Sequence, residues 1–152
     1  MKKEIFQGAA VALITPFTED GINFDELARV IEDQIAGGTD AIVITGTSGE
    51  SATMTDEEDN SVVKFVVDHI AGRIPVIAGS GSNSTQTMLT KSLTYQGLGA
   101  DGLLLITPYY NKSNEEGIYQ HFKTVADAVD IPCILYNIPG RCGCGISERN
   151  VE

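Results

Sequence analysis

Five short apolar segments recur along the chain and set the pattern of its predicted elements. They recur about every 30 residues, which is the length of one strand–helix unit. Each segment is continuous rather than alternating in polarity, as strands buried on both faces of a parallel sheet are. The sequence therefore predicts five buried strands. These are Val11–Thr15, Ala41–Thr45, Pro75–Gly79, Gly102–Thr107 and Cys133–Asn137.

The segments between these strands show the start and stop signals of helices. Asn23, Thr55 and Ser113 each stand three residues before a glutamate, which is the spacing of a capping box at a helix start. Apolar residues then follow at intervals of three or four, as on one face of an α-helix. Glycines at Gly37–Gly38 and within Gly97–Gly99 favour the ends of two helices, because glycine readily adopts the left-handed backbone.

The predicted order is β-α-β-α-β-α-β-α-β, and right-handed crossovers make the strands parallel with the helices outside the sheet. A (β/α)8 TIM barrel needs about 250 residues, whereas this chain has 152. Two architectures stay open: an open doubly wound sheet, and the first part of a barrel whose remainder is absent. Ser147 is a further predicted N-cap, so the chain ends at the start of a fifth helix, which favours truncation. We predict that residues 1–152 are the N-terminal part of a barrel domain.

Composition and charge limit the classes of partner. The formal net charge is −11, and no run of Lys and Arg provides a basic patch, so nucleic acids and anionic membranes are disfavoured. Glu4 and Gln7 interrupt the apolar N-terminal segment, which lacks the cleavage site of a signal peptide. No segment approaches the roughly 18 to 20 apolar residues of a membrane span. We expect a cytoplasmic protein.

The cysteines and histidines predict no metal or other cofactor. Cys133, Cys142 and Cys144 are an odd number in one region, which argues against a secreted disulfide framework. Cys142 and Cys144 with no nearby histidine are an incomplete metal-ligand set. His69 and His121 lie in predicted helices, where we expect them to be partly exposed surface residues.

Polar residues are concentrated where the predicted strands end. In parallel α/β folds, functional groups lie at the carboxyl ends of the strands. Those ends read TPF, TGTSGES, GSGSN, TPYYNKS and YNIPGRCG, whereas the opposite ends read as simple connections. This asymmetry predicts a site at the carboxyl edge of the sheet.

Several groups at that edge have both a functional and a structural interpretation. The Gly46–Ser51 loop can bind a small carboxylate through exposed backbone N–H groups, or it is a tight turn with capping hydroxyls. Arg141 suits an anion held by two parallel hydrogen bonds, or a salt bridge across a subunit contact. Tyr136 can transfer protons or lie in the core. Tyr109 and Tyr110 are adjacent aromatics, for which packing against a partner is the favoured interpretation.

The motifs GTSGES, TPYYNKS and YNIPGRCG, in this order and at these separations, resemble those of the dihydrodipicolinate synthase family. The resemblance runs over essentially the whole chain, from ALITPF onward. The wider family comprises pyruvate-dependent, Schiff-base-forming aldolases and lyases on (β/α)8 barrels. The resemblance implies a lyase that condenses pyruvate with aspartate semialdehyde in lysine and diaminopimelate biosynthesis, without a cofactor, in a homotetramer built from dimers.

The resemblance also implies roles for individual residues. Tyr136 would be the acid/base phenol, and the hydroxyl of Thr47 would link it to Tyr110, which reaches in from a neighbouring subunit. The backbone and hydroxyls of Thr47 and Ser48 would bind the carboxylate of pyruvate. Arg141 would bind the carboxylate of aspartate semialdehyde.

Three positions depart from the family pattern. Ser48 stands where threonine is commoner, which keeps the hydroxyl, and Cys142 stands where a hydroxyl residue is usual. The family's covalent residue is a lysine on the sixth strand, which forms an imine with pyruvate, and this chain ends before a sixth strand. Lys112 is the lysine nearest to a strand end, but a solvated loop lysine lacks the desolvation that makes an amine nucleophilic. We assign no Schiff-base lysine, and expect the 152-residue chain alone to be inactive.

In lysine-sensitive members of the family, the effector binds at a dimer contact. Asp59 stands here at a histidine position of that site and Thr87 at an acidic one, so the resemblance implies weak or absent inhibition by lysine. The residues that match the rest of the site are Ser51, Ala52, Asn83 and Tyr109.

Three other functions stay open at this stage. An N-acetylneuraminate lyase or sugar-acid aldolase is the close alternative, which Arg141 disfavours. A non-catalytic half-barrel module that pairs its open sheet edges is favoured by the missing lysine. A nucleotide-binding domain would use Gly79–Ser84, but this segment lacks the third glycine of the fingerprint and follows the third strand rather than the first. Asn83 as a helix cap is the better interpretation of that segment.

Overall fold

The computed structural model describes residues 4–151 and has a five-stranded parallel sheet at its centre. Met1–Lys3 and Glu152, which the predicted domain includes, lie outside the described residues. The strands are β1 (Ala10–Ala12), β2 (Phe17–Thr18), β3 (Gly21–Ile22), β4 (Ala41–Ile44), β5 (Val76–Gly79), β6 (Gly102–Ile106) and β7 (Cys133–Tyr136).

The sheet order β1-β4-β5-β6-β7 follows the chain, and every neighbouring pair is parallel. A doubly wound sheet reverses its strand order at a switch point, and no reversal occurs here within residues 4–151. The predicted half-barrel is therefore confirmed. The helices are α1 (Phe24–Ala36), α2 (Asp56–Ile70), α3 (Thr85–Gly97), α4 (Glu115–Ala126) and α5 (Pro139–Cys142), with 3-10 turns at Ser51–Thr53 and Glu148–Asn150.

Two predicted helix starts are confirmed and two are displaced by one residue. The side chain of Asn23 accepts a hydrogen bond from the N–H of Glu26, and Thr55 forms a complete capping box with Glu58. Ser113 was wrong as a cap, because the neighbouring Asn114 accepts from the Gly117 N–H at 2.8 Å. Asparagine and serine cap helices about equally well, so the sequence alone does not separate adjacent candidates.

At α3 the predicted cap was also one residue early. Ser84 accepts from the N–H of Thr87, whereas the side-chain amide of Asn83 contacts Asn111 on the next loop. Ser147 caps only the short 3-10 turn Glu148–Asn150, which is where the predicted fifth helix begins.

Burial differs between the two faces of the sheet. Along β6, Leu103 and Leu105 are fully buried under the helices, while Leu104 and Ile106 are half-buried and face a cavity. The prediction of strands buried on both faces therefore holds best for β4 and β5. It is wrong for β1 and β7, which are the two edge strands of the sheet in this structure. Ala10 and Ala12 of β1 are exposed, and in β7 Cys133–Leu135 are half-buried and Tyr136 is exposed.

Three features differ from expectation or were not predicted. The hairpin β2–β3 and the short helix α5 were not predicted. His121 was expected at the surface, but it is only 4% exposed, because α4 places it against α3, where Thr85 Oγ1 lies 2.8 Å from its Nδ1. His69 is partly exposed, as expected. None of the helices in the described part of the chain is long and apolar enough to cross a membrane.

Candidate active site

A cavity of about 460 Å³ opens at the carboxyl ends of the strands. Because parallel strands end at the same edge of the sheet, residues far apart in sequence meet there. The loops after β4, β5, β6 and β7 and helix α3 contribute its polar groups, and the side chains of Leu104 and Ile106 form an apolar part of the wall. The predicted concentration of functional groups at this edge is therefore found in the fold.

The loop after β4 begins with an unusual backbone conformation. Thr45 is 3% exposed and has a φ of 52°, a left-handed value that is a rare outlier for a β-branched residue. Its hydroxyl lies within hydrogen-bond distance of the carbonyls of Ile44 and Gly79. The chain then folds back through short turns, in which the Gly49 N–H donates to Gly46 O at 3.1 Å. This path brings Thr47 and Ser48 to the exposed top of the loop.

Thr15 fixes the loop from the first strand's side. Its hydroxyl, on a side chain that is 5% exposed, donates to the carbonyl of Gly49 at 2.8 Å. Thr47 lines the cavity, but Ser48, next to it, does not. The hydroxyl of Ser48 therefore lies outside the wall that its predicted role in binding pyruvate would require, and its role remains a prediction.

Tyr136 is the last residue of β7 and pairs in register with Ile106 at the end of β6. Its side chain is 38% exposed and lines the cavity together with Thr47 and Arg141. A phenol at a strand end has a fixed backbone and an open face, which is the arrangement that proton transfer to a bound substrate needs. The interpretation as a core tyrosine is wrong on the exposure of the side chain.

Arg141 is presented by α5, a single turn between two backbone constraints. Pro139 stands at the start of this turn, where its fixed φ suits a helix, and Gly143 ends it with a φ of 73°. Among residues 4–151 no ion pair involves Arg141. The other arginines, by contrast, each pair with a glutamate. Arg141 is thus an exposed cation at the mouth of the cavity, in a chain of net charge −11.

The surroundings of Cys142 explain why a cysteine fits at this position, where the family usually has a hydroxyl residue. It is 2% exposed, and its carbonyl accepts a hydrogen bond from the N–H of Tyr110 at 3.3 Å. The thiol of Cys144 lies 3.5 Å from the carbonyl of Pro108. The arginine turn is therefore connected to the tyrosine loop mainly through backbone groups, for which a small buried side chain at position 142 is sufficient.

The tyrosine loop places its two phenols differently. Tyr109 is 38% exposed and lines the cavity, whereas Tyr110 is 89% exposed and does not. Tyr110 has a φ of 70°, a strained conformation for an aromatic residue. Asn111 stabilises this loop by donating to the carbonyl of Asn83 at 2.8 Å. Tyr110 therefore lies outside the cavity that Tyr136 lines.

Lys91 is a cavity residue that the sequence reasoning missed. It lies on α3, and its Nζ is 2.5 Å from Asp59 Oδ2 and 3.3 Å from Asp56 Oδ1. Burial lowers the pKa of Lys91, but the hydrogen bonds and charges of the two aspartates outweigh burial and raise it above its usual value. Asp59 lies on the buried face of α2 together with Val62, Val63 and Val66. A charged residue on an otherwise apolar helix face was the sequence signal that a buried ion pair, and hence Lys91, lies nearby.

The structure brings together six of the nine predicted site residues around one cavity. Ser48, Tyr110 and Asn83 do not line it. Among the described residues no three His, Cys, Asp or Glu side chains are grouped as metal ligands. The six that line the cavity are Thr47, Ser51, Ala52, Tyr109, Tyr136 and Arg141.

Residues 5–152 match the sequence model of the dihydrodipicolinate synthetase family. A 4-hydroxy-tetrahydrodipicolinate synthase of Clostridium tetani is 55% identical over 147 residues, which are 97% of this chain and 50% of that protein. The crystal structure of dihydrodipicolinate synthase from Aquifex aeolicus superposes with a TM-score of 0.93 at 49% identity, over 96% of this chain and 50% of that one.

A third similar protein was solved with a ligand. It is the chloride-inhibited dihydrodipicolinate synthase from Acinetobacter baumannii complexed with pyruvate, with a TM-score of 0.91 at 45% identity, over 95% of this chain and 50% of that one. The chain spans about half the length of these relatives.

Proposed function

Because the chain belongs to the dihydrodipicolinate synthetase family, we propose that the protein acts as a 4-hydroxy-tetrahydrodipicolinate synthase. It condenses pyruvate with aspartate semialdehyde, a step of lysine and diaminopimelate biosynthesis. The observation that supports this most directly is one cavity lined by Thr47, Tyr136 and the unpaired Arg141. These are a hydroxyl, a phenol and a cation, at the positions that match the family's motifs.

Arg141 supports a pair of substrates that each have a carboxylate. Pyruvate and aspartate semialdehyde have one carboxylate each. Two separate groups can bind them, namely the loop at Thr47 and the side chain of Arg141. A guanidinium holds a carboxylate through two parallel hydrogen bonds with fixed geometry. The N-acetylneuraminate lyase-like alternative has no corresponding use for this arginine.

Tyr136 supplies the proton transfers in this proposal. In its deprotonated form the side chain accepts a proton from the pyruvate-derived carbon, and once protonated it donates that proton to the aldehyde oxygen as the new C–C bond forms. Thr47 orients it in this proposal. We assign no described lysine as the amine that binds pyruvate covalently. Lys91 is the only described lysine that lines the cavity, and its ion pairs keep it protonated, so it is not a nucleophile at neutral pH.

The partner subunit enters the proposal through Tyr110. An aromatic residue that is 89% exposed and held in a left-handed conformation is suited to packing against a second molecule rather than within its own chain. We therefore include a homo-oligomer, a dimer of dimers, in which Tyr110 enters the neighbouring active site. A cytoplasmic location belongs to the same proposal.

The test uses the full-length protein that contains these residues. Purified protein is incubated with pyruvate and aspartate semialdehyde, and separately with N-acetylneuraminate, and product formation is followed. We expect turnover of the first pair alone. Borohydride treatment in the presence of pyruvate should add a single pyruvate-derived mass to the full-length protein. Turnover of N-acetylneuraminate, with none of the first pair, would establish the lyase alternative instead.

A further inference from the structure

A buried carboxylate lies behind the loop that bears Thr47. Asp59, on α2, is 0% exposed, and burying a carboxylate is unfavourable unless other groups compensate its charge. Neither the Oδ1 atom of Asp59 nor the hydroxyl of the adjacent Tyr95 has a hydrogen-bond partner among the described residues. The described hydrogen bonds to Asp59 are therefore those at its other oxygen, Oδ2.

Two groups from different elements meet at Oδ2 of Asp59. The ammonium of Lys91, on α3, donates to it at 2.5 Å, and the hydroxyl of Ser51 donates to it at 2.8 Å. Ser51 is the first residue of the 3-10 turn that follows the Thr47 loop, directly after Glu50 with its left-handed φ of 58°. One oxygen atom thus joins α2, α3 and the end of the loop.

The pair lies in surroundings that are largely shielded from water. Burial raises the pKa of the neighbouring Tyr95, and the negative charge of Asp59 raises it further. Lys91 is 19% exposed, so its ammonium is shielded on one side and reaches the cavity on the other. Ion pairs shielded from water in this way are strongly sensitive to removal of one partner.

The loop itself has few other anchors. Thr15 holds its middle through the carbonyl of Gly49, and the hydroxyl of Thr53 bonds only locally, to Glu50 O. Thr47 and Ser48 are exposed at its top. The bond from Ser51 to Asp59 is therefore the described side-chain contact that ties the end of the loop to the helices.

We propose that Asp59 and Lys91 are positioning residues, which hold the Gly46–Ser51 loop through Ser51 and thereby fix the carboxylate-binding group at Thr47. The positioning role rests on the contacts of Asp59 with Ser51 and Lys91. Only the identity of the ligand, pyruvate, rests on the proposed function.

The test measures amide hydrogen exchange in the full-length protein without substrate, by mass spectrometry of the peptide that covers residues 45–53. Ser51→Ala removes one contact to Asp59 but leaves Asp59 paired with Lys91, so no buried charge loses its ion pair and the fold should be retained. We expect exchange in this peptide to become roughly tenfold faster, because a hydrogen bond to a charged group is lost. Peptides from α4 should exchange as in the wild type.

Lys91→Met tests the ion pair, and Asp59→Asn with Lys91→Met removes both charges together. The single variant should loosen the loop at least as much as Ser51→Ala, and the double variant should recover part of the protection, since no unpaired charge remains. The matched control is Lys64→Met, which breaks the exposed pair with Asp68 on the same α2 helix and should leave the loop unchanged. If Lys91→Met does not fold, Ser51→Ala decides alone.

Kinetics of the same Ser51→Ala protein separate positioning from a general structural effect. A loosened loop should raise the KM for pyruvate roughly tenfold and leave the KM for aspartate semialdehyde, which Arg141 binds, unchanged. Unchanged exchange in residues 45–53, or an equal increase throughout α4, would overturn the positioning role. A wild-type protein with the expected exchange but no turnover of either substrate would overturn the proposed function instead.

Discussion

Gly79 and Thr45 approach each other so closely that a side chain does not fit between them. A Cβ placed on Gly79 would lie 2.7 Å from the carbonyl oxygen of Thr45 and 3.2 Å from the N–H nitrogen of Gly46. Both neighbours are backbone atoms, which do not yield as a flexible side chain does. The end of β5 is therefore packed directly against Thr45, the residue with a left-handed conformation at which the candidate active-site loop begins.

Gly79→Ala should for this reason disturb the site as well as the fold. We expect the free energy of unfolding to fall by about 1–3 kcal/mol, as overpacking of a rigid core does. Urea denaturation followed by circular dichroism measures this change. Gly97→Ala is the matched control, because a Cβ there meets open space within a helix end. That variant should be as stable as the wild type or more so by up to about 1 kcal/mol, and equal losses in both would refute the close-contact explanation.

The contact at Gly79 also shows which features of the fold local sequence signals can predict and which they cannot. The strands and two helix starts followed from apolar runs and capping residues, which act over three or four positions. The parallel order followed from the handedness of crossovers, which is a general property of such chains. The contact between Gly79 and Thr45 joins the ends of two strands, and no local pattern predicts it.

The positions of His121 and Lys91 also could not be predicted from local sequence patterns. A histidine within a helical pattern reads as a surface residue, and only the packing of α4 on α3 buries His121 and pairs it with Thr85. Strand ends carry the sequence signal for site residues in a parallel sheet, whereas Lys91 reaches the cavity from a helix. The motif residues Thr47, Tyr136 and Arg141 were predictable because the fold brings all strand ends to one edge.

Arg141→Ala in the full-length enzyme should damage the use of one substrate selectively. Loss of a charge-assisted bidentate contact is worth about 1.5–3 kcal/mol, so kcat/KM for aspartate semialdehyde should fall by roughly 10- to 150-fold. Pyruvate imine formation, measured by borohydride trapping, should survive. Arg29→Ala is the control, since Arg29 forms exposed pairs on α1. A loss of pyruvate binding with normal use of the semialdehyde would show that Arg141 has been given the wrong role.

His121 should make the protein less stable in mild acid. Burial lowers its pKa below the usual value, although a hydrogen bond to the backbone of Ser82 partly opposes this. Below about pH 6.5 the unfolded chain then binds more protons than the folded one, so the free energy of unfolding falls as the pH drops toward the folded pKa, by at most about 1.4 kcal/mol per pH unit. Above about pH 6.5 this contribution is fully present.

Denaturation curves of the wild type measure this dependence. They are recorded between about pH 7.5 and 5, a range that includes the reference histidine pKa of about 6.5. His121→Gln should flatten the slope whatever its effect on stability at neutral pH. Equal slopes in the wild type and His121→Gln would mean that other groups cause the acid sensitivity.

Free lysine should inhibit the complete enzyme weakly or not at all. The resemblance places an effector site at Ser51 and Tyr109, both of which line the cavity here, but Thr87 offers no carboxylate for the ammonium of the ligand. The structure adds that Lys91 already places its own ammonium in this wall, paired with Asp59 at 2.5 Å, so a second cation meets a like charge. Losing one charge-assisted bond costs roughly 1.5–3 kcal/mol, which is a loss of affinity of about 10- to 150-fold. Initial rates measured across a lysine titration test this, and half-maximal inhibition at sub-millimolar lysine would show that the retained residues are enough to bind it.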